Sequence, residues 1–195
     1  MSKHISLLLT LAVFAAGCAS PPARLYTLNA TAKADGSPAL PCSILVGAVI
    51  VPALVDHPQF TVQVSPNRVE QDEFNRWAVP LNENIARVVA DNLAVLLGAT
   101  DVATALRVDF KPTFQVTIDL ERFDSVPGER IELEARWAVR KLPNGAPFSG
   151  HTLVREPVRG REYELLAAAH SRALAKLSSD IAAQIRTAGR AKTAP

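Results

Sequence analysis

Cysteine is scarce in this chain. Its 195 residues include two, Cys18 and Cys42. Neither a C-x-x-C pair nor a four-ligand Cys/His set can be assembled, which excludes a disulfide framework and a zinc site of ordinary spacing. Histidine is nearly as thin, at four. No G-x-S-x-G, H-E-x-x-H, phosphate-binding glycine loop or G-x-G-x-x-G is present, so the common signatures of hydrolases, metalloproteases and nucleotide enzymes are missing. No apolar run reaches the roughly 20 residues that span a bilayer core. Excess charge is also lacking: 21 Lys+Arg face 19 Asp+Glu. A nucleic-acid binder would show a basic stripe. No internal repeat is visible.

What is present begins at the amino terminus. Lys3 precedes the apolar run "ISLLLTLAVFAA", and small residues close it. A basic start, a short apolar core and a small-residue end describe a secretory signal peptide over residues 1–17; the other reading is a buried helix of the mature fold. Removing it takes one lysine away and leaves a nearly neutral chain of about 178 residues, enough for one domain with its own core.

The end of that run, Ala15-Ala16-Gly17-Cys18, resembles the lipobox of bacterial lipoproteins and differs at Ala15, where Leu is preferred. The resemblance implies that the Cys18 thiol receives a diacylglycerol, that cleavage precedes it, and that the new amine is acylated. Ordinary signal cleavage is the alternative. Three acyl chains would make a lasting anchor, because each buried methylene contributes about 0.8 kcal/mol. Ala19 and Ser20, rather than Asp, then imply the outer membrane. "ASPPAR" would be a stiff tether, holding the domain within roughly 20 Å of its leaflet. The expected layout is signal peptide 1–17, lipidated Cys and tether 18–24, one periplasmic domain 25–189 and a tail 190–195. Cys42 then has no partner in the chain and reads as a small buried residue at a strand start; an intermolecular disulfide is the alternative.

Arg24–Leu28 reads as a first strand, followed by a loop rich in Gly, Pro, Asn and Asp. "SILVGAVIVP" is an apolar, β-branched run, expected to be a strand buried on both faces. "FTVQV" and "RVEQDEFNRWAV" flank the turn signal "SPN" and predict a hairpin. "PLNENIARVVADNLAVLLGA" predicts a helix. Leu81, Ile85, Val88, Val89, Leu93, Leu96 and Leu97 form its apolar stripe, Pro80 lies at its start and Gly98 at its stop. Period two then takes over. Phe114, Val116, Ile118 and Leu120 alternate with polar residues, as do Ile131, Leu133, Ala135, Trp137 and Val139. These predict two strands of an antiparallel meander with one wet face. "FSGHTLVREPV", after Asn144-Gly145, is its third strand. "EYELLAAAHSRALAKLSSDIAAQIRTA" predicts an amphipathic helix of about 27 residues. The expected fold class is α+β: a largely antiparallel mixed sheet with two helices packed on one face.

Few residues stand out chemically. His57 follows Asp56, but adjacent side chains on a loop seldom face each other, and the following Pro58 fits a turn. His170 reads as a boundary residue of the long helix, and His151 as a strand residue between polar neighbours. On the wet face Glu132, Glu134, Arg136 and Arg140 can pair with Asp119, Glu121 and Arg122, for tenths of a kcal/mol each. "EFNRWAVPLNENI" is the most unusual stretch. Phe74, Arg76 and Trp77 there are either an aromatic plug under the helix start or an exposed partner-contact surface, since aromatics and Arg dominate interface hot spots.

Taken in order, "GCAS", "RLYTL", "ILVGAVIVPALVDHPQF", "RVEQDEFNRWAVPLNENIARVVADNLAVLLG", "LRVDF…VTIDLERFD" and "EARWAV" resemble the ABC-type transport auxiliary lipoproteins of the PqiC type. The resemblance runs through the whole mature chain. It implies a non-enzymatic lipoprotein without a cofactor beyond the lipid on Cys18, anchored in the outer membrane and facing the periplasm. It implies an adaptor role beside an inner-membrane ABC permease and an MCE-domain protein that forms a lipid conduit, and it admits a homo-oligomeric ring. A module that carries lipid in its own pocket is the second reading; the apolar second strand and the long helix would line that pocket.

Overall fold

The computed structural model describes residues 21–190. The signal peptide, Cys18 and the last five residues of the expected tail lie outside the described residues. Eight strands and two helices follow in the order β1 (Arg24–Tyr26), β2 (Ser43–Ile50), β3 (Gln59–Ser65), β4 (Arg68–Trp77), α1 (Leu81–Leu97), β5 (Asp101–Ala103), β6 (Phe114–Val126), β7 (Arg130–Lys141), β8 (Pro147–Pro157) and α2 (Tyr163–Arg190). The class is α+β, as the patterning predicts. The strands, however, form two sheets, a five-stranded β5-β2-β6-β7-β8 and a three-stranded β1-β4-β3. β6, β7 and β8 are the antiparallel meander. β2 joins it in parallel with β6, and β5 and β1 add parallel edges. Period two tells which face of a strand is buried, not which strand lies beside it, so the division into two sheets is not written in the pattern.

The core forms where the apolar stripes meet. All seven stripe residues of α1 are buried, as are Leu166, Ala169, Ala173, Leu177, Ile181 and Ile185 of α2. They cover one face of the large sheet and form one cluster with Ile44, Val46, Phe114, Val116, Leu133 and Val139. Pro80 precedes α1, Glu83 favours its first turn, and Gly98 stops it at φ 57° while its N–H bonds the Ala94 carbonyl. No helix among the described residues is long and apolar enough to cross a membrane.

Several boundaries differ from expectation. β1 stops at Tyr26 rather than Leu28. β2 is buried on both faces only in its first half; a bulge after Val46 shifts its pairing with β6, and Ala48 and Ile50 reach solvent. β5 was not expected, and the loop between it and β6 leaves Leu106 and Val108 exposed. α2 continues through Gly189 to Arg190, where a tail was expected.

Candidate interaction surface

Phe74, Arg76 and Trp77 lie at the end of β4, and the strand separates them. Trp77 is 6% exposed and belongs to the core, whereas Phe74 is 43% exposed and Arg76 half-buried. Trp77 stacks on Phe60 at 4.3 Å between ring centroids; Tyr163 meets Phe60 at 5.1 Å and Tyr26 meets it at 5.9 Å. Trp77 alone of the three joins an aromatic plug and is not a surface residue, whereas Phe74 stays outside it. Arg76 pairs in register with Leu25 of β1, which is 65% exposed. Paired strand residues share a face and side chains alternate along a strand. Leu25, Phe74 and Arg76 therefore look outward, and Tyr26, Asn75 and Trp77 inward.

A carboxylate shapes this corner. The Asp72 Oδ1 accepts the backbone N–H groups of Phe74 at 2.8 Å and Asn75 at 2.9 Å. Its Oδ2 accepts the Tyr163 hydroxyl at 2.9 Å, and Tyr26 donates to Asn75 Oδ1 at 2.7 Å. These bonds hold open the irregularity in β4, where pairing jumps from Phe60↔Asp72 to Gln59↔Arg76. Burial works to raise the Asp72 pKa, but the bonds from Asn75, Phe74 and Tyr163 outweigh it and the carboxyl is lowered. Burial, then Asp72, raises the Tyr163 hydroxyl. Sequence reasoning missed Leu25, Asp72 and Tyr163; the placement of Asp72 two residues before Phe74 was the available signal.

The wet face of the large sheet carries part of the expected ion-pair set, with Arg140 and Asp119 in no ion pair among the described residues. Arg136 Nε lies 2.5 Å from Glu121, and Arg122 reaches Glu134 at 3.1 Å and Glu132 at 3.6 Å. Arg155 bonds Glu132 at 2.9 Å, and this bond lowers the Glu132 pKa against burial. Glu121, Glu134 and His151 each bring one donor atom to within 4.8 Å of the others. Arg136 and Arg122 already balance the two carboxylates, so a cation would compete with two guanidiniums.

The remaining singled-out residues make contacts within the fold. His57 Nε2 lies 2.8 Å from the Leu54 carbonyl, 3.1 Å from Thr61 Oγ1 and 2.9 Å from Gln71 Nε2, pinning the connector to β3 and β4. Asp56 is not among these partners. His170 is fully buried, not at a boundary: it stacks on Phe123 at 3.8 Å and meets Ser125 Oγ at 2.8 Å. Cys42 is buried and free, immediately before β2. Two grooves among the described residues are open to solvent. One, about 520 Å³, borders Gly47, Glu83 and Arg87; the other, about 690 Å³, borders Ile50, Asp119 and His151. The apolar residues of β2 and α2 proposed to line a cargo pocket, Ile44, Leu166 and Ile185 among them, pack in the core cluster instead.

The family model described as ABC-type transport auxiliary lipoprotein component matches residues 26–182. A crystal structure of a Xanthomonas campestris protein of the DUF330 family has a TM-score of 0.74 at 18% identity, covering 88% of this chain and 99% of that one. The crystal structure of an uncharacterized protein has a TM-score of 0.69 at 17% identity, covering 85% and 99%. At these identities the likeness concerns the fold. No curated protein matches significantly.

Proposed function

The chain belongs to the ABC-type transport auxiliary lipoprotein component family, and from that premise we propose that it is an outer-membrane lipoprotein, anchored through Cys18 and facing the periplasm, that serves as the adaptor of an MCE-protein-dependent lipid transporter. The family match over residues 26–182 carries this reading. Membership already gives an auxiliary role in transport and a membrane-anchored periplasmic location. The outer membrane is supported by Ala19 and Ser20 after Cys18. A non-enzymatic docking role is supported by what the polar groups do: His57, His151 and His170 hold the fold or the sheet surface together. A surface of exposed Leu25 and Phe74 with half-buried Arg76 suits contact rather than chemistry, and a homo-oligomeric ring is a compatible assembly.

A trafficking assay tests the role. Deletion of the chain should impair outer-membrane integrity, and wild type should restore it. Cys18→Ala should remain soluble or uncleaved and fail to restore it. Full rescue by a Cys18→Ala protein that fractionates away from the membrane would overturn the anchored-adaptor reading. Self-contained cargo carriage, the second reading, predicts bound lipid in native mass spectra of the soluble domain; the packing of Ile44 and Leu166 in the core predicts none.

A further inference from the structure

We infer that the β3–β4 hairpin, together with Leu25 and Phe74, rests on the lipid leaflet that holds the anchor. The inference rests on Cys18 being the lipidated residue. It goes further, by assigning a membrane-facing end to the fold.

The direction of β1 carries the argument. β1 runs parallel to β4, with Arg24 opposite Asn75 and Tyr26 opposite Trp77. β4 itself starts at Arg68, at the hairpin turn. The chain therefore reaches β1 from the hairpin-turn side. Arg24 is six residues on from Cys18, and a chain of that length spans at most about 20 Å. β3, from Gln59 to Ser65, rises about 20 Å at strand geometry. The reach of the tether is thus no greater than the length of the hairpin. Stretched along the hairpin, it brings Cys18 level with the turn; slack or bent, it brings the leaflet nearer to Leu25 and Phe74.

The surface at this end fits a lipid interface. Leu25, Phe74 and Val69 are exposed apolar side chains. The β6–β7 turn and the loop before α2 lie together, joined by the Gly128 N–H bond to the Gly160 carbonyl at 2.8 Å. Gln63 and Pro66 of the hairpin share a groove with Asp124 and Ser125 of β6, which places that turn on the hairpin side. Arg24 and Arg76 stand at the base of the hairpin and Arg159 and Arg161 beside the β6–β7 turn, all four outside the ion pairs among the described residues, with Glu73 and Glu162 as exposed acidic neighbours. Apolar side chains interleaved with free arginines are the composition of an interfacial contact, where stems insert and guanidiniums meet headgroup phosphates. The opposite end is set apart by α2, whose 28 residues run about 42 Å from Tyr163 beside Asp72. There Arg186 donates to the Pro38 and Leu96 carbonyls at 2.7 Å each.

Full-length lipidated protein tests this in vesicles of phosphatidylethanolamine with phosphatidylglycerol as the minor lipid. An environment-sensitive fluorophore is attached at Phe74→Cys, at Asn67→Cys in the hairpin turn, or at Thr187→Cys at the far end of α2. Cys42 is buried, and all three sites are exposed. Blue-shifted emission at 67 and 74, quenched by brominated acyl chains, with water-like emission at 187, is the expected result. Floating, lipidated protein with water-like emission at both 67 and 74 would overturn the contact and leave the anchor standing. Equal quenching at 187 would overturn the orientation. Failure to float, with an unmodified Cys18 peptide in the mass spectrum, would remove the anchor itself and this contact with it.

Discussion

Residues three apart in "FNRW" have opposite fates. Trp77 enters a stacked cluster with Phe60, and Phe74 faces out. Trp77→Ala should therefore cost about 3–5 kcal/mol in urea denaturation, whereas Phe74→Ala should stay within about 0.5 kcal/mol. Equal losses would contradict the assignment of faces. His170 supplies a pH prediction. Full burial pushes its pKa down to about 3 from the ordinary 6.5. The unfolded chain then binds the proton across that interval and the folded chain does not, so stability is full above about pH 6.5 and falls as pH drops toward 3. His170→Gln should flatten the part of this slope that His170 contributes; an unchanged urea midpoint profile between wild type and variant would count against the buried neutral imidazole. The sequence showed the periods of these segments but not His170's burial. A histidine between Ala169 and Ser171 on a helix reads equally as rim or core until its neighbours, Phe123 and Ser125, are known.

Among the elements, helices and meander strands were legible because each one's own periodicity determines its buried face. The α1 stripe, the α2 stripe and the alternations of β6 and β7 are buried where the periodicity places them. The joins between elements were less legible. β8 meets α2 through Glu156, which bonds Arg172 at 3.2 Å and also Lys176. It meets β7 through a close approach: Trp137 lies over Gly150, and its Nε1 donates to Thr152 Oγ1 at 3.0 Å, which in turn donates to Asp180 of α2 at 2.6 Å. A Cβ at position 150 would stand 2.2 Å from the Trp137 ring. Gly150→Ala should displace the indole, break this chain of bonds and cost about 1–3 kcal/mol as an overpacked core does. A melting temperature equal to wild type would show that the indole has room to move. Neither the glycine nor the tryptophan announced this pairing, because register between β7 and β8 is set by the turn and not by either residue alone.

For the whole molecule, class was legible and partition was not. Parallel pairing of β1 with β4 and of β2 with β6 joins segments about fifty and seventy residues apart, and such long-range choices leave no local trace. The candidate surface was legible as a stretch, "EFNRWA", but its shape depends on Leu25, which sits far away in sequence and beside Arg76 in space. The result is a domain whose polar groups hold its elements together and whose first strand begins six residues after Cys18 in the sequence. The adaptor reading predicts that the chain is found in one assembly with its transport partner. The decisive measurement is affinity purification of the tagged lipoprotein, expressed at native level and extracted in mild detergent, with its companions identified by mass spectrometry. The account predicts recovery of an MCE-domain protein, lost or sharply reduced with Cys18→Ala. Repeated purification of the lipidated protein without any MCE-domain protein would contradict it.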